Sequence, residues 1–395
     1  MERRRTVGII AEYDPFHRGH AWQLAEAKRR SGAGAAIVAM SGFFTQRGEP
    51  ACLSPIDRAR CALAGGADLV LLLPACWSLR PAEGFALGGM RLLQGMGVDA
   101  VSFGAETEDL ALLRRASALQ EDARVRAGLR EGLDRGLGWA EALRRAAEQA
   151  DPEAAALLDR PNCVLAMAYL RAAGELGFAP EFVPVLRTAP HHGSGLQGPW
   201  ASGSALRGAF FRGEGELLAA GVPPRTAESC RRARETGSFV PPRGLEQATL
   251  ARLRTMDAEA YRALPDCTEG LDDALRRAAR DCVSLEQLTD RLSGKRYPRA
   301  RIRRLCASAL LGLRREMTEQ PPEGAVVLGV RRGMEPLLGQ AEAGFSLWTR
   351  GRDYPAEAPW MQAEARAADL WALAAGLPAG LLGSQYLSFG EGAEP

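Results

Sequence analysis

Short apolar runs and helix-period segments alternate along the first part of the chain. Val7–Ala11, Ala35–Met40, Leu69–Leu73 and Val98–Phe103 are compact runs of Val, Ile, Leu, Met and Ala and read as buried strands. Between them the apolar spacing widens to that of helices. His20–Arg30 offers Trp22, Leu24, Ala25 and Ala27 to a core. Pro55–Ala64 is a helix stopped by Gly65-Gly66, and Pro81–Met96 opens on proline and closes before Gly97. Strand–helix alternation with short connections predicts an α/β fold with a doubly wound parallel sheet. Ligands of such sheets bind outside the carboxyl ends of the strands. The loops Glu12–Gly19, Ser41–Leu53 and Gly104–Glu106 all leave those ends and should converge.

Further on the pattern turns helical. Residues 107–177 are rich in Ala, Leu, Arg and Glu, Phe182–Leu186 is a short strand, and Ser204–Arg212 opens as a helix. Pro223-Pro224 and Pro241-Pro242 punctuate what reads as a linker, residues 244–320 are almost all helical, and residues 325–380 read as a small α/β unit. That unit has a strand at Ala325–Val330 and a helix at Met361–Ala375. The expected division is a doubly wound domain over residues 1–220 and a mostly α-helical region with a small α/β unit over residues 221–395. The N-terminal apolar run meets Glu12 and Asp14, and the Leu69–Leu79 run contains Pro74 between Asp68 and Arg80. Neither reads as a signal peptide or a membrane span, so a cytoplasmic protein is expected.

Composition narrows the chemistry. With 46% hydrophobic and 25% charged residues, the 395-residue chain is not a disordered or fibrous one. A net charge of +2 confines any nucleic-acid surface to a local patch. Arg291, Lys295, Arg296, Arg299, Arg301, Arg303, Arg304, Arg314 and Arg315 form such a patch, with no acid between them. It suits a phosphate backbone, and equally a solvated helix face. Lys28 and Lys295 are the only lysines. The 8 cysteines contain no C-x-x-C pair and no Cys/His cluster has ligand spacing, so neither a disulfide framework nor a metal site is expected.

The sharpest motif is His17-Arg18-Gly19-His20, where the first strand hands over to the first helix. A helix N-terminus presents free N–H groups to phosphate, Gly19 admits close approach, and two imidazoles can donate to oxygens that gain charge. Two capping histidines without a ligand is the plainer alternative. Ser202-Gly203-Ser204-Ala205-Leu206-Arg207 opens a second helix, with an arginine where the dipole disfavours one unless an anion is bound. Met40–Pro50 is a long polar loop with two aromatics and one arginine, a candidate lid or a structural loop. Phe103-Gly104-Ala105-Glu106 ends the fourth strand, where Gly104 would let a nucleoside lie on the backbone. Asn162 and Arg187 are lone polar residues at the ends of elements.

The stretch Gly8–His20, the loop Met40–Pro50, Gly66–Pro74, Phe103–Glu106 and Lys295–Arg304 together resemble the bacterial tRNA(Met) cytidine acetate ligase family, of the HIGH-motif nucleotidyltransferase superfamily. The sequence departs from the family pattern at Asp14, Phe43, Pro55 and Gly203. The resemblance implies a HIGH-type ATP-binding catalytic domain and a basic tRNA-binding C-terminal region. It implies activation of acetate by ATP to acetyl-adenylate, then acetylation of N4 of the wobble cytidine of elongator tRNA(Met). ATP contacts carry over to Val7, Gly8, Ile9, Ile10, Ala11, Glu12, Tyr13, Asp14, Pro15, Phe16, His17, Arg18, Gly19 and His20, and to Gly104, Asn162, Arg187 and Ser204. The catalytic residues would be His17, His20 and Arg207, with Mg2+ carried by the nucleotide. The partners expected are tRNA, acetate and ATP, with no membrane and no stable protein partner. Two rival readings share some of these features: a small-molecule nucleotidyltransferase, and a non-catalytic RNA-binding relative.

Overall fold

The structure is a computed structural model that describes residues 3–187, 201–268, 270–294, 297–382 and 387–390. Among the described residues eight strands form one sheet: β1 Thr6–Ala11, β2 Ala35–Ser41, β3 Leu69–Leu73, β4 Ala100–Ala105, β5 Glu181–Leu186, β6 Gly324–Arg331, β7 Ser346–Trp348 and β8 Leu387–Phe389. The order is β5-β4-β1-β2-β3-β6-β7, with β8 on β6. From β5 to β3 all neighbours are parallel, as the alternating pattern predicts.

Both faces of this sheet are buried, which explains why its strands read as unbroken apolar runs. Ile37 and Ala39 of β2 face one core with Leu71 and Phe103, while Val38 and Met40 face the other with Ile9 and Leu24. A pleat of period two assigns them. Helix Arg18–Ser31 begins two residues before the expected His20, because His17 already caps it. Helix Pro55–Ala64 lies where the proline and the glycines put it.

Two features were not legible. Pro224–Thr236 is a helix rather than linker, since proline at a first helical position gives up no hydrogen bond. The strand and helix of the C-terminal unit form, but they build onto the first sheet. β6 runs antiparallel to β3, with Leu69 opposite Val330. Asp68, fully buried, fastens this junction: it pairs with Lys28 at 2.5 Å and with Arg331, and accepts the Ala36 N–H at 2.7 Å. Lys28 is thereby committed to the amino end of the sheet, opposite the site described next. Residues between these two visits to the sheet make a helical body with its own core of Leu253, Tyr261, Leu275, Ile302 and Leu305.

Candidate active site

The loops after β1 and β2 do converge with the carboxyl end of β4, where Gly104 lies. They border a cavity of about 300 Å³ at the carboxyl ends of the strands, closed by the starts of helices Arg18–Ser31, Pro161–Glu175 and Gly203–Arg212.

His17 is the N-cap of the first helix, and its own backbone N–H donates to Nδ1 of His20 at 3.3 Å. The two rings stack with centroids 3.5 Å apart and 18° between planes. Tyr13, held at φ +51°, packs its ring 4.7 Å from that of His20 and 4.8 Å from Phe16. A left-handed tyrosine is strained, so the packing must hold it there. Burial drives the His17 pKa down to about 3, with the Arg187 charge assisting. Burial, His17 and Arg187 push His20 well below its ordinary value too. Both rings are therefore neutral at pH 7, and among the described residues Nδ1 of His17 is buried without a hydrogen-bond partner.

Gly203 faces the histidines across the cavity, its missing Cβ 3.7 Å from His17 Nε2. Ser202 caps that helix through Ala205 N–H, and Ser204 stands exposed at the rim, 3.1 Å from the Ser202 hydroxyl. Arg207 lies 3.4 Å from Asp14 and 3.7 Å from Glu49. These carboxylates flank the guanidinium, which the helix, starting at Gly203, carries as its fifth residue and so past the first turn. Asp14 is itself oriented by the Cys52 N–H at 2.7 Å.

On the other flank Arg187 donates to Oδ1 of Asn162 at 3.0 Å, and its chain runs past Gly104, where a Cβ would sit 3.1 Å from Arg187 Cγ. Beneath lie Phe85, Phe103, Leu165 and Tyr169, an apolar wall of which the motifs contain only Phe103. One signal for it existed. Tyr169 follows Asn162 by seven residues, two helical turns, and so shares its face. Glu12 also lines the cavity; burial raises its pKa, opposed by the Gln46 N–H at 2.5 Å.

Of the signature stretch, Ile10 through Asp14, His17, Gly19 and His20 line the cavity. Val7, Gly8, Ile9, Pro15 and Phe16 are buried behind it, and Arg18 turns outward to the Ala220 carbonyl at 3.0 Å. His191 and His192 lie outside the described residues. Arg58 is fully buried and donates to the carbonyls of Leu53, Glu12 and Gly42, which ties the first two loops to the second helix.

The chain matches the HIGH Nucleotidyl Transferase family model over residues 4–378. A tRNA(Met) cytidine acetate ligase of Syntrophomonas wolfei is 32% identical over 329 residues, 79% of this chain and 77% of that one. The chain belongs to the tRNA(Met) cytidine acetate ligase family. The ligase of Lysinibacillus sphaericus is 29% identical over 93% of this chain and 94% of that one. The fold matches that of Thermotoga maritima TmcAL bound with alpha-thio ATP, with TM-score 0.87 and 23% identity over 97% of this chain and 99% of that one.

Contacts within this ligase bear on two readings that the sequence left open. The Ser41–Pro50 loop is not a free lid. Phe43 and Phe44 are buried, Ala51 N–H bonds Phe43 O at 2.9 Å, and Trp371 donates to Ala51 O at 2.7 Å. Only Thr45, Gln46 and Arg47 of the loop reach the cavity. The basic run carries ion pairs of its own. Arg303 pairs with Glu49 at 2.7 Å, Arg299 pairs with Glu286 and Asp290, and Arg291 pairs with Asp281 at 2.8 Å. Burial lowers the Arg304 pKa. Lys295 and Arg296 lie outside the described residues. Among the described residues no helix is long and apolar enough to cross a membrane, and no group of three His, Cys, Asp or Glu side chains is disposed to hold a metal.

Proposed function

We propose that this protein activates acetate with ATP and transfers the acetyl group to N4 of the wobble cytidine of elongator tRNA(Met). The observation that carries the proposal is the stacked, neutral pair His17 and His20 at a helix N-terminus, inside a cavity flanked by Arg187 and Arg207. Acetate is a poor acyl donor because its leaving group would be oxide. Attack of an acetate oxygen on Pα forms an O–P bond, breaks the bond to the β-phosphate and expels pyrophosphate. The product is an anhydride with a good leaving group.

In this scheme His17 and His20 donate N–H groups to oxygens that gain charge during displacement. Neutral rings suit this, because each presents one donor without a charge that would bind ground state and transition state alike. Arg207 and Ser204 hold the pyrophosphate end, so phosphate displaces Asp14 and Glu49 from the guanidinium. Asn162, Arg187 and the backbone at Gly104 hold the nucleoside. Mg2+ would arrive as the chelate of ATP, whose charge it neutralises. The exocyclic amine of an unstacked cytidine then attacks the acetyl carbon, the C–O bond to AMP breaks, and the amine loses a proton.

Residues 1–220 would carry the adenylation chemistry and residues 221–395 the tRNA contacts, in the cytoplasm. The exposed pairs of Arg291 and Arg299 favour that role. Surface ion pairs are worth about 0–1 kcal/mol, so phosphates can replace their carboxylates. Pyrophosphate exchange into ATP tests the first step. Exchange that requires acetate, and that larger carboxylates do not support, is expected. Exchange driven by another small metabolite and not by acetate would point to a small-molecule nucleotidyltransferase instead.

A further inference from the structure

We infer that Glu106 is a positioning residue for the nucleotide: it fixes the side-chain amide of Asn162 and, through it, the guanidinium of Arg187. The inference rests on the function proposed above. Asn162, Arg187 and Gly104 line the cavity, whereas Glu106 does not.

Its carboxylate stands over the N-terminus of helix Pro161–Glu175. One oxygen accepts the backbone N–H of Asn162 at 3.2 Å and Nδ2 of the same residue at 2.6 Å; the other accepts the Cys163 N–H at 2.9 Å. The two backbone bonds are those of any acidic cap. The side-chain bond does something further. With Nδ2 committed to Glu106, Oδ1 of Asn162 is turned the other way, and Arg187 Nη1 donates to it at 3.0 Å.

The flipped amide is excluded twice. It would set Oδ1 against an acceptor-only carboxylate, and its NH2 against a guanidinium that has donors only. Burial acts to raise the Glu106 pKa, but the bonds from Asn162 and Cys163 outweigh it and hold the group ionised. Arg187 is further fixed by its own N–H on Ala105 O at 2.9 Å and by the space left at Gly104. A chain of hydrogen bonds thus runs from the loop after β4, through the helix N-terminus, to the end of β5.

ATP affinity by titration calorimetry, with melting temperature, tests this on the full-length protein. Glu106→Gln is the informative variant. It keeps the shape, but its amide has a single acceptor for three donors and no longer forbids the Asn162 flip. ATP binding is expected to weaken about tenfold in Glu106→Gln and in Glu106→Ala, the scale of one charged hydrogen bond. The Glu106→Gln/Arg187→Ala double variant should lose less ATP affinity than the two single losses added together. A Glu106→Gln protein that melts lower yet binds ATP like wild type would reduce Glu106 to a helix cap and overturn the inference. So would losses that simply add in the double variant. Wild type that binds no ATP would overturn the proposed function, and the inference with it.

Discussion

Arg303 Nη1 lies 2.7 Å from Glu49 Oε1, joining the basic helix of the C-terminal half to the rim of the cavity. The loop carrying Glu49 presses on that helix at Gly48, where φ is +80° and a Cβ would stand 2.5 Å from the Arg303 carbonyl carbon. The other oxygen of Glu49 faces Arg207 at 3.7 Å. An arginine that sequence assigns to RNA therefore also sets the loop whose tip, Gln46 and Arg47, lines the cavity.

Arg303→Ala is expected to slow acetate-dependent pyrophosphate exchange by about 3–10-fold even without tRNA, as a small displacement of a positioning group does. The assay is run with no RNA present. Unchanged exchange together with weakened tRNA binding would assign Arg303 to RNA contact alone.

The buried histidines make the fold acid-sensitive. The folded His17 pKa is lowered to about 3 from an ordinary 6.5, so below pH 6.5 the unfolded state binds the proton first. The resulting loss of stability is absent above pH 7, grows as pH falls and is complete near pH 3. At pH 5 it amounts to about 2 kcal/mol for this group. Denaturant titrations at pH 7 and pH 5 should show His17→Asn losing less stability on acidification than wild type. Equal losses would mean that the ring is solvated.

Glu364 shows the opposite sign. It is fully buried on helix Pro359–Ala374 and takes the Ala75 N–H at 2.7 Å; among the described residues its other oxygen, beside Gly42, has no hydrogen-bond partner. Burial raises its pKa to about 7. The folded state then holds a proton that the unfolded state releases above its ordinary 4.5, so the penalty grows from pH 4.5 to 7 and amounts to about 3 kcal/mol beyond that. Glu364→Gln should gain stability relative to wild type as pH rises across this window. A constant difference between the two proteins from pH 4.5 to 8 would contradict it.

Much of this was legible because local signals and the fold agreed. The apolar runs, Gly65-Gly66 and the capping His17 each mark an element that tertiary packing leaves in place. What escaped depends on contacts between distant residues. Nothing in Ala325–Val330 says that it will lie antiparallel to β3, because a buried strand reads alike in either direction. The basic run holds no acid of its own; its carboxylate partners flank it closely, as Asp281, Glu286 and Asp290 do, or come from afar, as Glu49 does. Glu106 was visible only as the last letter of a turn, since its three bonds go to residues 162 and 163.

The most direct measurement supplies the protein with carbon-labelled acetate, ATP and total tRNA, digests the RNA to nucleosides and reads them by mass spectrometry. Label in N4-acetylcytidine, dependent on ATP and lost in His20→Ala, is the predicted result; removal of one preorganised donor to a developing charge costs about 2.7–4 kcal/mol of barrier. Label that enters only from acetyl-coenzyme A, or active pyrophosphate exchange with no labelled nucleoside, would contradict it.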